Sequence, residues 1–195
     1  MPISAGAQDP VKILVLGDSL TAGYGLAEKD AFPAQLERAL QTAGQNVSVI
    51  NAGVSGDTAA GGLARLDWAL SDRPQIVIVE LGANDALRGL PPEQTRKNIE
   101  EIIIRLQKAE IAVLLTGMRS PRNFGFNHYN QFDRLFPELA EQYEVAFYPF
   151  FLEGVATKRR YNQSDGMHPN PEGVNVIVQG ILPTVEQLLV QLSEL

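Results

Sequence analysis

Gly17-Asp18-Ser19-Leu20 stands directly behind the apolar run from Val11 to Leu16, and Asp165-Gly-Met-His168 stands near the opposite end of the chain. Together they supply a serine hydroxyl, an imidazole and a carboxylate, the groups of nucleophilic acyl-transfer chemistry. A hydroxyl is a poor nucleophile at neutral pH and needs a base within hydrogen-bond reach, most often histidine. The chain has two histidines, His128 and His168. His168 follows a carboxylate by three residues, so Asp165 can accept from one ring nitrogen and turn the other toward Ser19; His128 has no such neighbour. Each motif also has a plainer reading. Gly-Asp-Ser after a strand is an ordinary way to begin a helix, and Asp-Gly-Met-His before Pro-Asn-Pro suits a turn.

Two further segments shift the balance. Asn51-Ala-Gly-Val-Ser-Gly-Asp-Thr58 follows the run Val47 to Ile50 and precedes a stretch with Leu63, Leu66 and Leu70 on one face. Gly56 can bring backbone close to a ligand and present its N–H, with Asp57 or Thr58 as the cap of the helix behind it. Gly82-Ala-Asn-Asp85 follows the aliphatic run Gln75 to Leu81. A carboxamide at Asn84 can donate to an oxyanion, although a lone Asn-Asp after a strand also suits a turn or cap. Jointly the four segments offer a nucleophile, a backbone donor, a side-chain donor and an oriented base, each beyond a predicted strand or at the head of the last helix.

With these blocks the chain resembles the GDSL-type, or SGNH, hydrolases, matching Ser19, Gly56, Asn84 and the Asp165–His168 pair block by block. Asn51 to Thr58, Gly61 to Leu66, Glu80 to Gly89 and Tyr148-Pro-Phe-Phe151 further resemble the bacterial thioesterase I, arylesterase and lysophospholipase branch. The resemblance implies hydrolysis of carboxylic esters and thioesters through an acyl-enzyme: aryl esters, acyl-thioesters and also lysophospholipids. Ser19 would attack, His168 serve as base with Asp165, and the N–H groups of Ser19 and Gly56 with the Asn84 amide form the oxyanion hole. It also implies a five-stranded sheet of flavodoxin-like order and a mechanism with no metal and no cofactor. The spacing of His128, Asp133 and Glu138 compels no metal site.

The elements that must hold these residues alternate along the chain. Apolar runs near 12–16, 47–50, 75–81, 111–116 and 145–148 read as buried strands, with helical patterns between them, so the fold class is α/β: a three-layer, doubly wound, parallel sheet. In such sheets ligands bind beyond the carboxyl ends of the strands, at the switch point. The clearest helix spans about 92–109, with Pro91 and Pro92 at its start and Ile99, Ile102, Ile103 and Leu106 on one face. Asp30 is expected to cap a helix running to Gly44, and Pro137 and Pro183 to kink or restart the helices that contain them.

At 195 residues, 45% of them hydrophobic and 20% charged, the expectation is one globular domain over 11–195 behind a short tail over 1–10. A net charge of −7 argues against a nucleic-acid partner, and Lys158-Arg159-Arg160 reads as a solvated loop. No apolar run approaches the roughly 20 residues of a spanning helix, which leads to the expectation of a soluble monomer or weak homo-oligomer. Ser4-Ala-Gly-Ala7 could begin a mature periplasmic protein whose leader was removed; otherwise the cytoplasm is expected. The absence of cysteine excludes disulfides and thiol catalysis.

The small-molecule acyl ester or thioester would need an apolar channel. Two loops can form it, 85–90 and 118–126, giving Asp85, Leu87, Met118, Arg119 and Phe124 as candidate substrate-binding residues. Competing classes are weaker. A nucleotide-binding protein would want a Gly-x-Gly-x-x-Gly that is missing, and a non-catalytic binding module would be expected to have lost one of the four blocks. A carbohydrate O-acetyl esterase would use the same residues on a shorter acyl group.

Overall fold

The computed structural model describes residues 9–194; most of the expected tail, including Ser4 to Ala7, lies outside them. Five strands, β1 (Val11–Gly17), β2 (Val47–Gly53), β3 (Ile76–Glu80), β4 (Ala112–Thr116) and β5 (Ala146–Tyr148), form one sheet in the order β2-β1-β3-β4-β5. Every neighbouring pair is parallel. This is the flavodoxin-like order, with its switch point between β1 and β3.

Eight α-helices cover the sheet among the described residues: α1 (Ser19–Ala22), α2 (Phe32–Thr42), α3 (Ala59–Ala64), α4 (Leu66–Ala69), α5 (Ala83–Leu87), α6 (Pro92–Lys108), α7 (Phe126–Gln142) and α8 (Pro171–Ser193). Helices α2 and α8 pack together on one face, while α6 packs against α3 and α7 on the other. Coverage on both faces explains why Ile13 to Leu16 and Ile76 to Val79 are apolar without alternation and fully buried. Ile99, Ile102, Ile103 and Leu106 face the core as their helical spacing predicts.

Three local expectations are corrected. Helix α2 begins after Ala31, with no side-chain cap, and Asp30 instead offers its carbonyl to Gln35. Pro137 and Pro183 lie inside α7 and α8, which run through them. Helix α8 is long and apolar enough by composition to cross a membrane, a property that short uninterrupted runs conceal. Its Val174, Ile177, Val178, Ile181 and Val185 are nonetheless packed into the core, so apolar composition here builds a layer of the fold.

Candidate active site

Ser19 is placed by the turn that ends β1. Asp18 precedes α1 and accepts from the Leu20 N–H at 2.9 Å, so its carboxylate caps the helix whose first residue is the serine. Gly17 is required by space: a Cβ there would run into Thr21 Oγ1 and would lie 2.8 Å from Glu80 Oε2. The strand end and the helix start can therefore approach β3 closely only without a side chain.

His168 arrives from the other end of the chain. Asn162 and Pro169 form an antiparallel bridge, Gln163 donates from its amide to the carbonyls of Tyr24 and Pro169, and Asn170 caps α8 through the Gly173 N–H. These bonds pin the 162–169 loop over α1. His168 Nε2 lies 3.0 Å from Ser19 Oγ, and His168 Nδ1 lies 2.6 Å from Asp165 Oδ2. Asp165 Oδ1 also accepts the N–H groups of Met167 and His168. The imidazole bond, with these backbone bonds behind it, holds the Asp165 carboxyl down at about 2, so Asp165 is ionised throughout any working range. The Tyr24 ring packs on the imidazole, centroids 4.5 Å apart.

Gly56 and Asn84 approach from β2 and β3. Gly56 has φ +87°, in the region that favours glycine, and Thr58 rather than Asp57 caps α3. Among the described residues neither the Ser19 N–H nor the Gly56 N–H has a protein acceptor. Asn84 Nδ2 donates to Asp18 Oδ2 at 3.0 Å and to the Asp57 carbonyl at 2.9 Å. Both amide hydrogens are therefore engaged before any substrate arrives. Arg65 ties the ends of β1 and β2 to the turn that carries Gly56: it pairs with Asp57 at 2.6 Å and donates to the carbonyls of Ala52 and Gly17.

Beneath the serine lie two fully buried carboxyls, Asp18 and Glu80. Burial pushes Asp18 up to about 6. Burial also raises Glu80 well above the ordinary carboxylate range, and the neighbouring Asp18 charge raises it further. An isolated ionised carboxylate at such a site costs about several kcal/mol, which favours the neutral acid at Glu80.

A cavity of about 430 Å³ opens beside Ser19 and His168. Leu87, Met118 and Arg119 line it, joined by Phe150, Leu152 and Met167. The guanidinium of Arg119 stacks 4.3 Å over the Phe150 ring and lies 3.7 Å from Glu153. Two proposed wall residues are elsewhere. Asp85 is buried in α5, its carboxylate accepting from the Ala59 N–H and the Thr95 hydroxyl, so it fastens α3 and α6 to α5. Phe124 covers Gly89, packs on His128 and is partly exposed. Ser120, missed in the sequence, also lines the cavity and lies 3.3 Å from His128 Nδ1. The other His128 nitrogen faces the Leu90 carbonyl at 3.0 Å. Among the described residues no carboxylate bonds the His128 imidazole, and Asp133 instead accepts from the Ser120 N–H, so this second Ser–His pair ties two loops.

Arg65 and Glu80 were given no role, although both lie in segments that carry the family resemblance and Glu80 is a charged residue within an apolar run. No group of three or more histidine, acidic or cysteine side chains is arranged to hold a metal ion among the described residues.

Known proteins resemble this chain in sequence and fold. The GDSL-like lipase/acylhydrolase family model matches residues 15–176. An arylesterase of Vibrio mimicus is 43% identical over 87% of this chain and 86% of its own. Thioesterase 1/protease 1/lysophospholipase L1 of Escherichia coli K12 is 39% identical over 91% of this chain and 84% of its own. The crystal structure of TesA superimposes with a TM-score of 0.86 at 38% identity, covering 91% of this chain and 99% of that one. An acetylxylan esterase of Xylanibacter ruminicola is more distant, 30% identical over 54% of this chain and 24% of its own. Sheet order, serine turn and sequence thus converge on one conclusion: the chain belongs to the GDSL-like lipase/acylhydrolase family.

Proposed function

We propose that this serine esterase hydrolyses carboxylic esters and thioesters of small molecules, aryl esters, acyl-thioesters and lysophospholipids among them, with residues 11–195 acting as one domain. The observation that carries the assignment is the continuous relay from Asp165 through His168 to Ser19, 2.6 Å and 3.0 Å long in its two links. In the first half-reaction His168 Nε2 takes the hydroxyl proton as Ser19 Oγ bonds to the acyl carbon. The imidazolium then returns that proton to the departing alcohol or thiol. In the second half-reaction water repeats the sequence on the acyl-enzyme and regenerates Ser19.

The N–H groups of Ser19 and Gly56 and the Asn84 amide serve as oxyanion donors. Their value lies in being fixed before charge develops, and loss of one such donor costs about 10²- to 10³-fold. Asn84→Ala is expected to lower kcat by about that factor with little change in KM. Steady-state kinetics on a p-nitrophenyl ester check it, and an unchanged kcat removes Asn84 from the oxyanion hole.

The apolar cavity favours an acyl chain longer than acetyl. Turnover of p-nitrophenyl esters from acetyl to palmitoyl, with an acyl-CoA beside them, is expected to rise toward medium chains; activity confined to acetyl would favour an O-acetyl esterase. Leu152→Trp, which fills the cavity, is expected to cut kcat/KM for the longer esters at least about tenfold relative to acetyl. Phe124→Ala, outside the cavity, is expected to leave the length profile as it is. Identical profiles for native chain and Leu152→Trp would place the acyl chain elsewhere.

A further inference from the structure

The two carboxyls under Ser19 take no part in the proton relay. Both are fully buried and adjacent, Glu80 Oε2 accepting from the Asp18 N–H at 3.3 Å. Two buried carboxylates side by side repel each other and lose their hydration, so one of them keeps its proton. Glu80 Oε1 has no hydrogen-bond partner among the described residues. Asp18 already accepts from the Leu20 N–H on Oδ1 and from Asn84 on Oδ2. We propose that Asp18 and Glu80 hold one proton between them at neutral pH, and that this acid pair is a positioning device setting how firmly Asn84 is held.

Asp18 and an oxyanion would compete for one amide hydrogen of Asn84. With Asn84 bound to both Asp18 and the Asp57 carbonyl, an oxyanion must draw a hydrogen from one of them. The shared proton reduces the charge that Asp18 presents, so the developing oxyanion competes successfully. Loss of the proton would tighten Asp18 on Asn84 and add a negative charge near the reacting carbon. The other groups facing the pair are Thr21, Arg65 with its partner Asp57 across the Gly17 carbonyl, and His168, which acts on Asp18 by charge alone.

The proposal rests on the assignment of Asn84 to the oxyanion, and its test reads the proton without turnover. Infrared spectroscopy of the native chain at about pH 8, where ordinary carboxyls are ionised, should show a protonated-carboxyl band that disappears in Glu80→Gln. Its absence from the native spectrum overturns the proposal even if the variant does not fold. Thermal unfolding supplies the sign. The raised carboxyl is protonated in the folded chain and ionised in the unfolded one, so native stability should fall relative to Glu80→Gln as pH rises from about 5 to about 9. Parallel curves overturn the shared proton. In turnover, the alkaline limb of kcat should move in Glu80→Gln with KM unmoved; an unmoved limb overturns the link to Asn84.

Discussion

Ser19→Ala is expected to lower ester hydrolysis by at least about 10⁴-fold while leaving the fold intact. The hydroxyl has one long-range partner, His168 Nε2, and the turn that carries it is built by Asp18, Gly17 and Leu20 rather than by the serine side chain. Removing one oxygen therefore removes the nucleophile and little else. Residual turnover would come from the oxyanion donors acting on water. Kinetics with a p-nitrophenyl ester, alongside thermal unfolding, check both halves. A loss below about tenfold at unchanged stability would exclude Ser19 as the nucleophile.

Asp165→Asn is the second large effect, about 10³- to 10⁴-fold in kcat. The carboxylate accepts from Nδ1 at 2.6 Å, which leaves Nε2 as the free base facing Ser19. An asparagine amide can donate to Nδ1 and so stabilise the tautomer whose Nε2 carries the proton, which cannot accept from the serine. Because Asp165 is held near 2, the native chain should show no acid limb from this residue at working pH. Deletion of the charge, not its titration, is what matters. Near-native kcat in Asp165→Asn would show that the backbone bonds of the loop suffice to orient His168.

The parallel sheet was legible because strands buried on both faces are unbroken apolar runs, and because a turn motif stood after β1, β2 and β3. Ser19, Gly56 and Asn84 stand in those turns, and the sheet's switch point brings the ends of β1 and β3 together, while Asp165 and His168 reach them from the loop before α8. The acyl wall was less legible. Asp85 falls within α5 and Phe124 before α7, and side-chain direction at both depends on long-range partners, Thr95 and Ala59 for one and Gly89 for the other. Leu152 and Phe150 come from the loop after β5, far along the chain from the serine, and only the closed structure brings them to the cavity. Glu80 and Arg65 escaped for a related reason. Their partners, Asp18 and the carbonyls of Gly17 and Ala52, belong to other strands.

The cavity holds two serines beside histidines, Ser19 with His168 and Ser120 with His128, and the most direct measurement distinguishes them. The chain would be treated with a p-nitrophenyl alkylphosphonate, whose phosphorus is attacked by a serine oxygen with release of p-nitrophenolate. Intact-mass and peptide analysis would then locate the adduct. The account predicts one phosphonyl group per chain, on the peptide carrying Ser19, with hydrolysis lost in proportion to labelling. An adduct on Ser120, or full ester hydrolysis by a chain that takes no label at Ser19, would contradict it.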